Sequence, residues 1–188
     1  MDTHLWAIQI DSTTAAFKEN FHSLDVDELN WKPDAITWSV AQNIHHLIVI
    51  NRTFYSIIQR VRAGSYELPW IGKFSFMVDF FGNFILKSVS PDRKRKIKTF
   101  PLWEPSQSKI SGDILNQFDS HQTELKALIH SSTDLLTSKT VISSPANKNI
   151  VYTLKSAFDI IVTHECRHLE QAKEVNEWRI KKSRSGKD

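Results

Sequence analysis

From Leu154 to Val175, the residues Leu154, Ala157, Ile161, His164, His168, Gln171 and Val175 follow one another in alternating steps of three and four. An α-helix completes a turn in about 3.6 residues, so this spacing lines all of them up along one seam. A long helix is therefore expected from about Thr153 to Ile180, with the seam turned inward. Two of its members lie within His164-Glu165-Cys166-Arg167-His168, one turn apart on the same inward face, where both imidazoles can reach a single metal ion.

The rest of the chain supplies helices to enclose that seam. Trp6, Ile10, Phe17, Phe21 and Leu24 recur at spacings of three, four or seven and predict a first helix from about Thr3 to Leu24. Asp25 to Thr37, with Pro33, reads as a connection packed onto the body by Trp31 and Trp38. Ser39-Val40-Ala41-Gln42 has the form of a capping box and opens a second helix that ends at Gly64. Its core stripe is Leu47, Ile50, Phe54, Ile57 and Val61. His46 lies on or beside that stripe, whereas His45 leads to Arg52, Ser56 and Gln59 on the polar face.

An aromatic segment from about Ile71 to Ser88 reads as a further helix, buried or facing a partner, with Gly72 and Gly82 inside it. Pro101 and Pro105 make a long loop of the stretch before Ser106. The third long helix is expected from near Ser106 to about Ser131, carrying Ile114, Leu115, Phe118, Leu125, Leu128 and Ile129. A polar connection with Pro145 then leads to the last helix. Four amphipathic helices with an aromatic helical insertion between the second and third predict an all-α four-helix bundle. Residues 1–182 are expected to form a single domain, followed by a disordered basic tail over 183–188.

Composition narrows the setting. A chain of 188 residues suffices for one well-buried core but is short for two. With only 5 Gly and 6 Pro, it favours helices over many short turns. Cys166 is the single cysteine, so no intrachain disulfide can form; this fits a reducing compartment, and a cytoplasmic location is expected. The formal charge of +3 is concentrated at Arg93 to Lys98 and from Arg179 onward, without interleaved stacking aromatics, which argues against a nucleic-acid partner. The aromatic segment is short and carries Lys73 and Asp79, so no membrane partner is expected.

His46, His164 and His168, on the inward stripes of two helices, make a three-histidine metal site with a position left for water or substrate, the arrangement of catalytic rather than structural zinc sites. His121, at the margin of the third long helix's stripe, reads as a boundary histidine. His4, His22 and His130 read as solvent-facing. Gln171, one turn past His168, is positioned to support a ligand or substrate. The H-E-x-x-H pattern also matches a metalloprotease signature in which the glutamate activates water. That reading needs a third ligand downstream; no histidine follows His168, and Gln171 and Glu174 stand where a metzincin has glycine and histidine. Cys166, between the ligands and turned from their face, reads as a small buried hydrophobe.

Trp38-Ser39, His46-Leu47 eight residues after the tryptophan, a proline-bearing loop before the third long helix, and His164 with His168-Leu169 and Gln171 together resemble the DinB-like superfamily, which includes YfiT-like proteins. The resemblance implies a four-helix bundle, often dimeric, with zinc or nickel on His46, His164 and His168. It also implies an activity among metal-dependent hydrolases, or among transferases that use a low-molecular-weight thiol such as mycothiol or bacillithiol, on a small-molecule substrate. Gln42 stands where the family frequently has glutamate, a change that keeps the capping box; His45 and the aromatic insertion are further departures. A metal at such a site acidifies bound water or thiol, so the chemistry is hydrolysis or thiol transfer. The competing expectation is a non-catalytic dimeric metal-binding or stress-related interaction protein that pairs through its aromatic surface.

Overall fold

The computed structural model describes residues 3–92 and 99–185. The basic run Arg93 to Lys98 and the last residues of the expected tail lie outside these, while Ser183 to Ser185 continue the final helix. In chain order the helices are α1 (Thr3–Phe21), α2 (Val26–Asn30), α3 (Val40–Arg62), α4 (Ser75–Ser88), α5 (Ile114–Ser131), α6 (Thr133–Thr137) and α7 (Leu154–Ser185). Strands β1 (Val141–Ser144) and β2 (Asn147–Thr153) pair antiparallel between α6 and α7. Among the four long helices, α1 and α3 each pack against both α5 and α7.

Several expected boundaries shift for local reasons. The connection after α1 contains α2, which is nucleated by a capping box: Asp25 accepts from the backbone of Glu28, and Glu28 accepts from that of Asp25. The capping box at Ser39 forms as expected, with Gln42 N donating to Ser39 Oγ at 3.1 Å and Ser39 N donating to Gln42 Oε1 at 3.2 Å. The aromatic helix breaks at Phe74, with a single 3₁₀ turn, Trp70–Lys73, before α4. Helix α5 starts at Ile114 rather than near Ser106, because Asn30 holds both backbone groups of Ile110 at 2.8 Å and keeps that segment extended.

The all-α expectation needs correction, since the polar connection around Pro145 is a β-hairpin and the fold is mostly helical with a two-stranded sheet. Pro145 and Ala146 make its turn, while Ile142, Val151 and Tyr152 are fully buried. The β-branched run Ile150-Val151 and the aromatic Tyr152 favour extended backbone, and Tyr66 secures the edge by accepting from Ser143 N at 2.7 Å.

The apolar interior falls into two clusters. One gathers Trp6, Ile10, Phe54, Ile57, Leu125, Ile129, Phe158 and Ile161; the other gathers Phe17, Phe21, Ile44, Leu47, Ile114, Phe118, Leu169 and Ala172. Along each long helix the buried residues between the two sets are polar: Thr13 and Thr14 on α1, Asn51 on α3, His121 and Gln122 on α5, and Glu165 and His168 on α7. A polar layer thus crosses the middle of the fold; His168 lies in it, the half-buried His164 lies beside it on α7, and His46 sits on the α3 stretch that carries the second cluster.

Candidate metal centre

Helix α3 contributes His46 two turns after its capped start, and α7 contributes His164 and His168 from consecutive turns. Their ligand-capable nitrogens all lie within 4.8 Å of one another, close enough to hold a metal ion. His46 and His168 are buried and His164 is half-buried. His45 leaves the group: it is half-buried, and its Nδ1 accepts from Ser106 N at 3.4 Å.

The outer edges of two rings are fixed by groups that can only accept. His46 Nδ1 donates to the carbonyl oxygen of Trp103 at 2.6 Å, and His168 Nδ1 donates to Asn43 Oδ1 at 2.7 Å. Asn43 is itself oriented, because its Nδ2 donates to Ser39 O at 2.9 Å. With the protons on Nδ1, both Nε2 atoms carry lone pairs that face inward. His168 Nε2 stands 2.9 Å from His164 Nε2, a hydrogen-bond distance that is a few tenths of an ångström shorter than the ~3.3 Å between nitrogens sharing one tetrahedral ion at ~2.0–2.1 Å. The donor set fits a divalent cation of borderline softness: neutral imidazoles, ligand nitrogens converging, and the opposite nitrogens of two rings hydrogen-bonded in the manner that orients metal ligands.

Electrostatics favour the neutral ligand form. Burial lowers His46 to about 4; the bond to Trp103 opposes this shift and the neighbouring His45 adds to it. Burial holds His164 well below the ordinary range, with His46 and Arg167 adding to the effect, and does the same for His168, with His164, His46 and Arg167 adding. Trp38 covers the group, its ring stacked on His168 at 5.8 Å and tilted against His46 at 4.8 Å.

Glu165 points away from this cluster. It is fully buried, accepting from Asn51 Nδ2 on α3 and Gln122 Nε2 on α5, both at 2.8 Å. Burial raises its carboxyl to about 7, against the pull of the two amides. A carboxylate engaged in this way joins three helices and has no reach to a nucleophile at the histidines, so the H-E-x-x-H protease reading fails on geometry. His121 is fully buried on the same side, stacked on Tyr55 at 6.0 Å, and burial together with Arg52 lowers it to about 4. Cys166 is half-buried rather than buried, 3.6 Å from Thr13 Oγ1 on α1. Gln171 is half-buried one turn beyond His168, and His4, His22 and His130 are exposed.

Sequence reasoning missed the supports of the site. Asn43 has a readable signal, being a polar residue one turn before His46 at a buried position of α3. The Trp103 carbonyl has none, since it is backbone reached across 57 residues.

A mostly helical fold with three histidines converging from two helices defines a candidate metal-binding helical protein. The model of the DinB superfamily matches residues 9–172, and the chain belongs to that superfamily. Among curated proteins it is similar to the uncharacterized protein YuaE of Bacillus subtilis strain 168, 28% identical over 155 residues that cover 82% of this chain and 86% of the relative. No solved structure matches. No helix among the described residues is long and apolar enough to cross a membrane.

Proposed function

We propose that this chain is a metal-dependent enzyme of the DinB kind, holding zinc or nickel on His46, His164 and His168 and acting on a small molecule as a hydrolase or a low-molecular-weight-thiol transferase. The observation that carries the reading is the convergence of the three histidines' ligand nitrogens, with two rings oriented from outside by Trp103 O and Asn43 Oδ1. A divalent cation in such a site acidifies coordinated water or thiol and supplies a nucleophile near neutral pH. The chain's own part is to keep the imidazoles neutral and fixed, to shield them beneath Trp38, and to offer Gln171 as a polar support beside His168. The wider reading is a four-helix bundle made by α1, α3, α5 and α7, one domain over residues 1–182, a homodimer, and a cytoplasmic setting consistent with a single cysteine.

Metal analysis of the purified protein beside His46→Ala and His168→Ala tests the site. About one bound equivalent in the wild type, lost in both variants, is expected; a metal-free wild type after zinc and nickel loading, or retention in both variants, overturns it. Turnover of ester or amide substrates, or thiol conjugation, with zinc or nickel added then separates hydrolase from transferase. The exposed aromatic face of α4 favours a second reading, a metal-binding interaction protein. A loaded protein that pairs but turns over nothing across that panel would decide for it.

A further inference from the structure

Helix α4 has two apolar faces, of which the fold uses one. On the packed side, Val78 is buried, and a Cβ added at Gly82 would stand 3.2 Å from Ser156 Oγ and 3.5 Å from Tyr152 Cβ. The missing side chain at Gly82 therefore lets α4 lie directly on β2 and the start of α7. On the far side, Phe76, Phe80 and Phe84 are 62%, 58% and 54% exposed and form one ridge at i, i+4 and i+8. Phe80 and Phe84 stack at 6.2 Å. Trp70, 72% exposed, extends the patch through Phe74, with ring contacts of 4.8 Å between those two and 6.1 Å from Phe74 to Phe76.

At ~200 Å² per aromatic side chain, these five residues expose about 500–600 Å² of ring surface. That is at the upper end of what a monomer carries. A standard interface takes ~800 Å² from each partner, so the patch supplies roughly two thirds of one before its rim is counted.

We propose that this face is where two copies of the chain pair, α4 against α4. The inference rests on the homodimer within the proposed function and gives it a location. A ridge of i+4 spacing fits the matching groove of a second such helix at a crossing angle of about −50°. A two-fold axis beside Phe80 lays each phenylalanine ridge in the other's groove, which makes the patch complementary to itself. At that crossing the helix ends diverge, which separates Lys73 and Lys87, the exposed cations at either end of the ridge, from their counterparts. Around the ridge the exposed Lys73 and Lys87 stand against Asp79, so an anionic lipid surface is the competing occupant; Asp79 beside the central Phe80 and the self-complementary ridge favour a second copy.

Sedimentation velocity on the full chain at micromolar concentration, wild type against Phe80→Glu, tests the location, with helicity as a check on folding. A dimeric wild type and a helical variant that associates on the order of 100-fold more weakly are expected. A Phe80→Cys, Cys166→Ser double variant should also cross-link to itself on oxidation, which reads the same contact without adding a charge. A monomeric wild type would overturn both the dimer and this contact. A dimer that survives Phe80→Glu and gives no cross-link would keep the dimer and overturn the α4 location. Wild type that floats with phosphatidylserine vesicles and remains monomeric would overturn the choice of occupant.

Discussion

His164 and Glu165 are adjacent in sequence yet stand on different sides of α7, and the polar clusters built around them are completed in different ways. Around Glu165, donors meet acceptors, because the carboxylate takes an N–H from Asn51 and another from Gln122. Around His164 and His168, the protein's own partners lie at the outer edges of the rings, while the inner nitrogens converge on one another. A buried polar group costs stability unless it is paired. In the first cluster the chain itself pairs the carboxylate and so ties α3, α5 and α7 together, while the amide oxygens of Asn51 and Gln122 and both ring nitrogens of the neighbouring His121 are buried without a hydrogen-bond partner. The second is a set of converging nitrogens whose natural counterpart is a cation. One side of the helix braces the fold, and the other brings together three histidines close enough to hold a metal ion.

The largest effect should come from breaking the paired side. Glu165→Leu leaves two buried amides without their acceptor and should lower unfolding free energy by about 2–4 kcal/mol in a denaturant melt, while the folded protein still binds metal. His168→Leu should do the reverse, abolishing metal binding and shifting metal-free stability by no more than ~1–2 kcal/mol. If Glu165→Leu removed metal binding from protein that is still folded, the two sides would be one unit and the contrast would fall.

A smaller effect should follow from loosening the open side. Asn43→Leu removes the acceptor that orients His168 and should weaken metal affinity ~10–100-fold in a chelator competition, without the stability loss of Glu165→Leu. Unchanged affinity would mean that the ring is held by something other than Asn43.

The smallest of the substitution effects is on pH dependence, where the two sides have opposite signs. Burial lowers His46 and His121 to about 4 and puts His164 and His168 well below their ordinary 6.5, so the unfolded chain takes up protons that the metal-free fold refuses as pH falls through 6.5. Glu165, raised from 4.5 to about 7, favours the fold at low pH and loses that contribution as pH rises toward 7. Between about pH 5 and 6, four histidines against one carboxyl leave an excess of roughly three protons on the unfolded chain, so stability should rise with pH. The half-buried His45, also lowered by burial and by Arg52, acts in the same direction. Glu165→Gln removes the opposing group and should steepen the slope by about one proton, ~1.4 kcal/mol per pH unit at most. A profile that is flat, or no steeper in the variant, would contradict these signs.

Much of this layout was legible in the sequence because helical spacing reports which residues share a face. The seam from Leu154 to Val175 marked His164 and His168, and the Leu47 to Val61 stripe separated His46 from His45. Spacing says nothing about partners reached across the fold. Glu165 reads as incidental within its own helix and becomes a clamp only when Asn51 and Gln122 arrive from two others. The hairpin at 141–153 was hidden by Pro145 and its polar neighbours, which signal a turn more strongly than the short run Ile150-Val151-Tyr152 signals a strand. The late start of α5 depended on Asn30, a residue 80 positions from the backbone it holds.

The bond from His46 to Trp103 uses a carbonyl, a group that every amino acid brings. The indole of Trp103, packed edge-on against Phe100 at 5.5 Å, therefore acts on the imidazole only through the backbone it holds in place. What matters is how far the chain travels between Thr99 and Pro105, because one residue more or fewer would carry the carbonyl out of reach. Substitutions in that loop and changes of its length are thus unequal events for this site.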